Sequence, residues 1–176
     1  IQMQYRREEA DCETETKKTV EKNSTGKECS ISASVQSKAQ LEAAVNSGVR
    51  CVYLDEEIEF ERENGVQYFL AMPYIFRERA MNIYKVYFEK ISQYYEGVLV
   101  RNWEALEWMK SKGYKGEVLS DYNLYGWNNR AIKELSELGI DQYTSSVELN
   151  FRELSELSTG GNLIVYGYQP VMITAN

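Results

Sequence analysis

The sequence predicts an α/β fold of repeated βα units, with a TIM-barrel-like parallel sheet of about seven strands. From residue 29 onward, β-branched runs, helical segments and closing glycines recur at short intervals. Short connections with glycines at helix C-termini are typical of parallel strands joined by right-handed crossovers. No strand is followed by a GxGxxG or GxxxxGKS/T loop, which favours a barrel over a doubly wound nucleotide-binding sheet.

The first predicted strand is Cys29–Val35. The helix Ser37–Ser47 follows it and begins with a serine and a glutamine at capping-box spacing. Gly48 ends this helix, and Val49–Leu54 is the second predicted strand. The third strand is Val66–Met72, which a proline stops.

The longest predicted helix is Arg77–Tyr95, and Val98–Val100 is the strand that follows it. Several apolar side chains of this helix fall at helical spacing, so we expect them to pack in the core. They are Ala80, Ile83, Tyr84, Tyr87, Phe88 and Ile91.

The C-terminal half repeats the helix–strand module three times. The predicted pairs are Trp103–Lys112 with Glu117–Ser120, Asn129–Leu138 with Ile140–Ser145, and Phe151–Leu157 with Leu163–Tyr166. A whole (β/α)8 barrel takes about 250 residues and eight strands. Because this chain has 176 residues, begins without Met and stops after an apolar strand, we expect an incomplete or truncated barrel within a longer protein.

Two regions of different character are predicted. Residues 1–28 hold six Lys/Arg and seven Asp/Glu and form a charged linker or helix, whereas residues 29–176 form the barrel-like domain. An incomplete barrel has an unpaired strand edge, which favours a homodimer or a covering segment. We expect Leu163–Ile173 or the N-terminal segment to cover it.

Composition excludes several classes of function. The chain has no histidine, so it cannot hold a Ser-His-Asp or Cys-His site or a His-ligated metal. Its net charge of -7 argues against a general nucleic-acid surface or an anionic-membrane surface. No membrane span or secretion leader is evident. Cys12, Cys29 and Cys51 form no CxxC pair, which indicates reduced thiols in a cytoplasmic protein.

Candidate catalytic residues lie where strands run into helices, because the chemistry of parallel α/β folds gathers there. Glu148 follows the predicted strand Ile140–Ser145, where a carboxylate acts as a base, orients a substrate amide or remains an exposed loop acid. Asp121 follows the strand before it. Ser145 and Ser146 have no base near them in sequence except Glu148, which is too little for a nucleophilic site.

Candidate substrate-binding residues occupy the same junctions. Arg101 could clamp a carboxylate or phosphate, or pair with Asp121 or Glu148. Asn123 and Asn128 are candidates for binding substrate, although Asn128 also stands at a helix N-cap position, as Asn102 and Asn150 do. Aromatic residues at these junctions could line a pocket: Tyr122, Tyr125, Trp127 and Tyr168.

An acidic run follows the second strand and comprises Asp55, Glu56, Glu57, Glu59, Glu61 and Glu63. Such a run binds a hard cation such as Mg²⁺ or forms a solvated face. The run lacks the register of a calcium loop. We therefore expect no metal ligand in the site.

The order of motifs resembles the collagenase-like peptidases, the peptidase family U thirty-two of unassigned catalytic type. The segments that carry the resemblance most specifically are LVRNWEALE, DYNLYGWNNRAIKELSELGI, SSVELNFREL and VYGYQPVMITAN, and the resemblance spans about Cys29–Asn176. It implies a barrel that acts on peptide or protein substrates, with this segment supplying scaffold and substrate cleft. We expect the isolated segment to be inactive.

The sequence departs from the family signature near its end. Members with that signature carry a Gly followed closely by a Cys, then Ser-Gly-x-Cys, whereas Pro170 stands here where the first cysteine would be. Relatives use cysteines of that region to hold an iron–sulfur cluster for oxygen-independent hydroxylation of RNA or quinone. We expect no cofactor within this segment. The alternatives are a hydroxylase domain whose cluster cysteines lie beyond Asn176, and a non-catalytic binding module.

Overall fold

The computed structural model describes residues 30–55, 58–157, 161–168, 170 and 172–174. The six strands within these residues are β1 Ser32–Val35, β2 Cys51–Asp55, β3 Gln67–Ala71, β4 Gly97–Val100, β5 Glu117–Ser120 and β6 Gln142–Tyr143. The five α-helices are α1 Lys38–Asn46, α2 Glu78–Tyr94, α3 Trp103–Ser111, α4 Asn129–Glu137 and α5 Phe151–Glu156, and a 3₁₀ turn spans Tyr122–Leu124. The predicted linker, residues 1–28, lies outside the described residues.

The strands form one parallel sheet in the order β1-β2-β3-β4-β5-β6. Each described strand is therefore added beside the previous one, as in a barrel, and their order does not reverse direction as it does in a doubly wound sheet. The prediction of an α/β fold with a parallel sheet of βα units is confirmed. One connection differs, because the described part of the β2–β3 crossover contains no helix.

The sheet curls. Asn162 forms a parallel bridge with Thr144 beside β6, and its Nδ2 donates a hydrogen bond to the hydroxyl of Tyr53 on β2 at 3.3 Å. In a flat sheet, five strand spacings would separate these positions by about 24 Å, which is more than the two side chains can span. The concave face must therefore bring β2 and the edge beyond β6 towards each other.

The helices begin where the sequence places their caps. Asn102, Asn128 and Asn150 each accept a hydrogen bond from a backbone N–H in the first turn of α3, α4 and α5, which confirms their predicted N-cap positions. Asn150 and Glu153 complete a capping box. Ser37 caps α1 through the N–H of Gln40.

Apolar side chains fill both faces of the sheet. Alternate residues of the strands, such as Val52, Leu70 and Val98, pack on the convex face beneath the helices. The other set forms a smaller cluster on the concave face: Tyr53, Phe69, Ala71, Leu99 and Leu119. This concave cluster ends just below the carboxyl ends of the strands, where the polar junction residues begin.

The predicted core stripe of α2 is only partly buried. Tyr84 and Ile91 lie in the core, but Ile83 is 40% exposed and Tyr87 is 49% exposed. The expectation that these two side chains belong to the core is therefore wrong. The described part of the β2–β3 crossover contains no helix, and its non-helical backbone leaves these two side chains partly uncovered.

The predicted seventh strand is also wrong. Among the described residues after α5, only Asn162 pairs beside β6, through Asn162 N–H to Tyr143 O at 2.8 Å and Ser145 N–H to Asn162 O at 2.9 Å. Leu163–Tyr166 is not a strand, and its side chains are exposed. β6 has only two residues, so its edge is too short to hold a longer partner. The described residues of 163–173 form no strand at the sheet edge.

No helix among the described residues has the length and apolar character that a membrane crossing requires.

Candidate functional site

Three strands deliver charged side chains to one point on the concave side of the sheet. Asp55 ends β2, whereas Arg101 and Asp121 directly follow β4 and β5. The register pairs Leu99 with Leu119, and residues two positions later in a strand point to the same face. Arg101 and Asp121 consequently lie side by side above the concave apolar cluster.

Arg101 joins these strands through its guanidinium. Its Nε donates to Asp121 Oδ2 at 3.1 Å and its Nη1 donates to Asp55 Oδ1 at 3.2 Å. Nη1 also donates to the backbone carbonyl of Met72 at 3.4 Å. Because Met72 immediately follows β3, one side chain connects the ends of four consecutive strands.

The cluster is largely removed from solvent. The side chains of Arg101 and Asp121 are 7% and 10% exposed, whereas that of Asp55 is 34% exposed. Burial lowers the pKa of Arg101, but Tyr74, Asp121 and Asp55 together outweigh that effect and raise it. Two carboxylates around one guanidinium give the cluster a net charge of -1 when all three are ionised, with Asp55 as its accessible edge.

Tyr74 covers the guanidinium. The Arg101 Cζ lies 4.3 Å from the centre of the Tyr74 ring, a cation–π distance. Burial, opposed by the charge of Arg101 and assisted by Asp121 and Tyr122, raises the pKa of Tyr74 to about 12. The phenol therefore remains protonated at neutral pH and can donate a hydrogen bond.

The 3₁₀ turn after β5 places two further predicted residues beside this cluster. Asp121 Oδ1 accepts a hydrogen bond from the N–H of Tyr122 at 2.8 Å, so the same carboxylate holds Arg101 and starts the turn. Tyr122 is half-buried and contributes to the environment of Tyr74. Asn123 is half-buried, and its Oδ1 accepts no hydrogen bond from the described residues.

Glu148 forms no hydrogen bond with the Arg101 cluster in the part of the chain that the structure describes. Its side chain is exposed, and among the described residues it makes no ion pair with Arg101. Its backbone N–H donates to Ser146 Oγ at 3.3 Å, while Ser145 and Ser146 are both buried. The local turn thus uses the Ser146 hydroxyl as an acceptor, and no described contact joins a serine to the Glu148 carboxylate.

Two predicted binding residues do not join the cluster. Asn128 caps α4, with its Oδ1 accepting from Ala131 N–H at 2.9 Å. Tyr168 is fully exposed. The remaining aromatic candidates, Tyr125 and Trp127, form an edge-to-face pair with ring centres 5.8 Å apart, and both are exposed.

Sequence reasoning found Arg101, Asp121 and Tyr122 but did not select Tyr74 or assign Asp55 to the site. The position of Tyr74, three residues after β3 and beside a proline, was the signal that could have indicated it. Asp55 was seen only within the acidic run. Its Glu56 and Glu57 lie outside the described residues, and no group of three or more potential metal ligands occurs in the part that is described.

Comparison with family models, curated proteins and solved structures found no match for the chain.

Proposed function

We propose that this chain forms part of a TIM-barrel-like domain of a collagenase-like peptidase and supplies its scaffold and peptide-binding cleft. The observation that supports the proposal most directly is the convergence of Asp55, Arg101 and Asp121 at the carboxyl ends of adjacent parallel strands. Binding and catalytic groups of barrel enzymes gather at that end. The motif resemblance supplies the substrate class, a peptide or an unfolded protein.

The side chains at the carboxyl ends of the strands suit a peptide ligand. The half-exposed Asp55 carboxylate can accept hydrogen bonds from backbone N–H groups or from a basic side chain of the substrate. The Tyr74 and Tyr122 hydroxyls share one hydrogen bond, so the pair keeps one hydroxyl proton that can be donated to a peptide carbonyl. The exposed Tyr125 and Trp127 rings offer apolar surface to substrate side chains.

Roles within the proposed site differ. Asp121 is a positioning residue, because it holds Arg101 and begins the Tyr122–Leu124 turn. Glu148 is the proposed general base, since its carboxylate is exposed at the same end of the sheet and carries no ion pair among the described residues. Arg101, Tyr122 and Asn123 shape the cleft, and Asn128 and Tyr168 remain proposed outer contacts.

Peptide binding tests the proposal. Fluorescently labelled unfolded peptides and gelatin are titrated into the 176-residue chain, and anisotropy is measured. We expect binding that Asp55→Asn weakens about tenfold, the loss of roughly one charge-assisted hydrogen bond. Glu134→Gln, an exposed change on α4, is the control and should bind as the parent does. Absence of binding, or equal effects of the two substitutions, would contradict the proposed cleft.

Cleavage is measured separately, as the release of new amino termini. It uses both this chain and the product of the full open reading frame that encodes it. We expect Glu148→Gln to abolish cleavage while leaving peptide binding unchanged. If cleavage persists in Glu148→Gln, the assignment of Glu148 is wrong even if the cleft is right.

A non-catalytic peptide-binding module is the second candidate. The observation that favours it is the bonding of Ser146, whose hydroxyl accepts from Glu148 N–H and makes no described contact with a base. Peptide binding without cleavage by the full open reading frame would select this candidate.

Two further proposals concern cofactor and location. An iron–sulfur hydroxylase requires cysteines beyond Asn176, and an iron and sulfide count on the anaerobically purified full open reading frame tests it. A reducing, cytoplasmic setting is proposed from the cysteine spacing, since the sequence contains no CxxC pair.

A further inference from the structure

A groove of about 690 Å³ lies on the convex side of the sheet, away from the proposed cleft. One wall is the described part of the β2–β3 crossover, with Ile58 and Phe60. The other wall is the flank of α2, with Ile83, Tyr87 and Tyr94. Crossover helices normally cover this side of a parallel sheet, but residues 58–66 contain none. The groove therefore occupies the place where a helix packs in the other βα units.

Helix α2 exposes an apolar stripe next to the groove. Ile83, Val86, Tyr87 and Tyr94 are 40%, 76%, 49% and 51% exposed. Their spacing of i, i+3, i+4 and i+11 places them on one side of the helix, which is the pattern of helices that dock in grooves. No other described helix exposes as many large apolar side chains. The chain thus carries both an apolar-lined groove and an exposed apolar helix stripe beside it.

The polar residues of the groove are of opposite sign on its two walls. Lys90 lies on the α2 wall, with its Nζ 5.5 Å from the centre of the Tyr87 ring. Glu59 lies on the crossover wall and is exposed. Neither residue makes an ion pair with another residue that the structure describes. A helix with a basic residue beside its apolar stripe complements Glu59, and α2 is such a helix.

We infer that two copies of this chain associate by placing the α2 stripe of each in the groove of the other. The arrangement is an isologous pair, in which one surface patch serves both subunits. Lys90 of one subunit then faces Glu59 of the partner subunit, and the converse contact forms by symmetry. The inference is independent of the proposed peptide cleft. It places self-association on the helical face, whereas the sequence suggested the open strand edge.

Sedimentation equilibrium and light scattering of the 176-residue chain test the inference. We expect a reversible dimer that Tyr87→Glu or Ile83→Glu weakens by roughly a hundredfold in Kd, because each change removes two apolar anchors per dimer. Phe151→Glu is the matched control, since Phe151 is 87% exposed on α5 and lies outside the groove. Far-UV circular dichroism confirms that each variant is folded.

Charge reversal gives a second test, because a substitution that only disturbs the fold would not be rescued by a second one. Lys90→Glu and Glu59→Lys should each weaken the dimer, and the double reversal should restore it, because the two charges face each other across the interface. Lys85→Glu on the opposite flank of α2 should leave the dimer unchanged. A monomer up to about 100 µM, an equal loss with Lys85→Glu or Phe151→Glu, or no rescue by the double reversal would overturn the inference.

Discussion

Replacing Arg101 by methionine should expose the energetic role of the charged cluster. Methionine keeps much of the unbranched side-chain volume and removes the guanidinium. Asp121, 10% exposed, would lose its charged partner and retain the hydrogen bond from Tyr122 N–H. Asp55, at 34% exposed, could recover hydration more readily. The main cost of the substitution therefore arises at Asp121.

The expected loss follows from the burial of these groups. Removing one partner of a buried ion pair costs about 3–5 kcal/mol. Loss of the 4.3 Å contact with Tyr74 contributes to the cost, at about 1 kcal/mol for a cation–π pair. We expect Arg101→Met to lower the free energy of unfolding by about 4 kcal/mol, which corresponds to a decrease in Tm of roughly 10 °C for a domain of this size.

A double variant separates charge burial from packing. Asp121→Asn introduced into Arg101→Met removes the uncompensated charge, and its side-chain oxygen can still accept from Tyr122 N–H. We expect the double variant to be about 2 kcal/mol more stable than Arg101→Met alone, although Asp121→Asn by itself should destabilise the parent. Urea unfolding followed by circular dichroism gives these values. A loss below about 1 kcal/mol for Arg101→Met, or additive losses in the double variant, would refute the reasoning.

Three further predictions concern a comparison of two helix caps, one glycine and one carboxyl group. Asn128→Ala should lower the free energy of unfolding by about 1 kcal/mol, because it removes an N-cap. Asn102→Ala should lower it by about 2–3 kcal/mol, because Asn102 also donates to Pro73 O and Tyr74 O at 2.9 and 3.1 Å. Urea titrations measure both values. Gly97→Ala should cost at least about 2 kcal/mol in the same assay, because its Cβ would lie 2.4 Å from the carbonyl oxygen of Glu117 and 2.9 Å from the Phe69 ring. Glu117→Gln should raise the Tm at pH 7, as measured by Tm across pH, because burial and the nearby Asp141 raise the pKa of Glu117.

The sign of the pH effect follows from proton linkage. A carboxyl group with a raised pKa in the folded state favours folding while protonated and loses that contribution as the pH rises through its folded pKa. The advantage of Glu117→Gln should therefore disappear on acidification below the ordinary Glu pKa. A higher Tm of Glu117→Gln that persists below the ordinary Glu pKa would contradict this explanation.

Asn128→Asp is the control for the helix-cap comparison, because it preserves the cap. An equal loss of unfolding free energy in Asn128→Ala and Asn102→Ala would argue against the additional bonds of Asn102.

Much of the architecture could be predicted because it depends on local signals. The strands β2 to β5 lie where apolar runs predicted them, and the three asparagine caps start helices α3 to α5. Caps and apolar periodicity act over a few residues, so the sequence reports them directly. Leu163–Tyr166 shows the limit of such signals. Its apolar run predicted a strand, but a strand needs a partner edge, and β6 is only two residues long.

The location of the site could be predicted from the sequence, but the bonding partners of its side chains could not. Strand ends in a parallel sheet share one edge, so Arg101 and Asp121 could be expected near each other. The sequence left open whether Arg101 binds a ligand or pairs with Asp121 or Glu148, because the choice depends on distances between strands. The structure places it between Asp121 and Asp55 with Tyr74 over its face, and Glu148 stays exposed.

The sequence by itself determined the class of fold, the helix starts and the exclusion of histidine chemistry, since composition, caps and periodicity belong to single residues or short segments. Only the tertiary structure decided the partners of Arg101, the exposure of Ile83 and Tyr87, and the end of the sheet at Asn162. These features depend on what another segment places within a few ångströms. Burial and pairing are properties of the assembled sheet, so a pattern read along one segment cannot fix them.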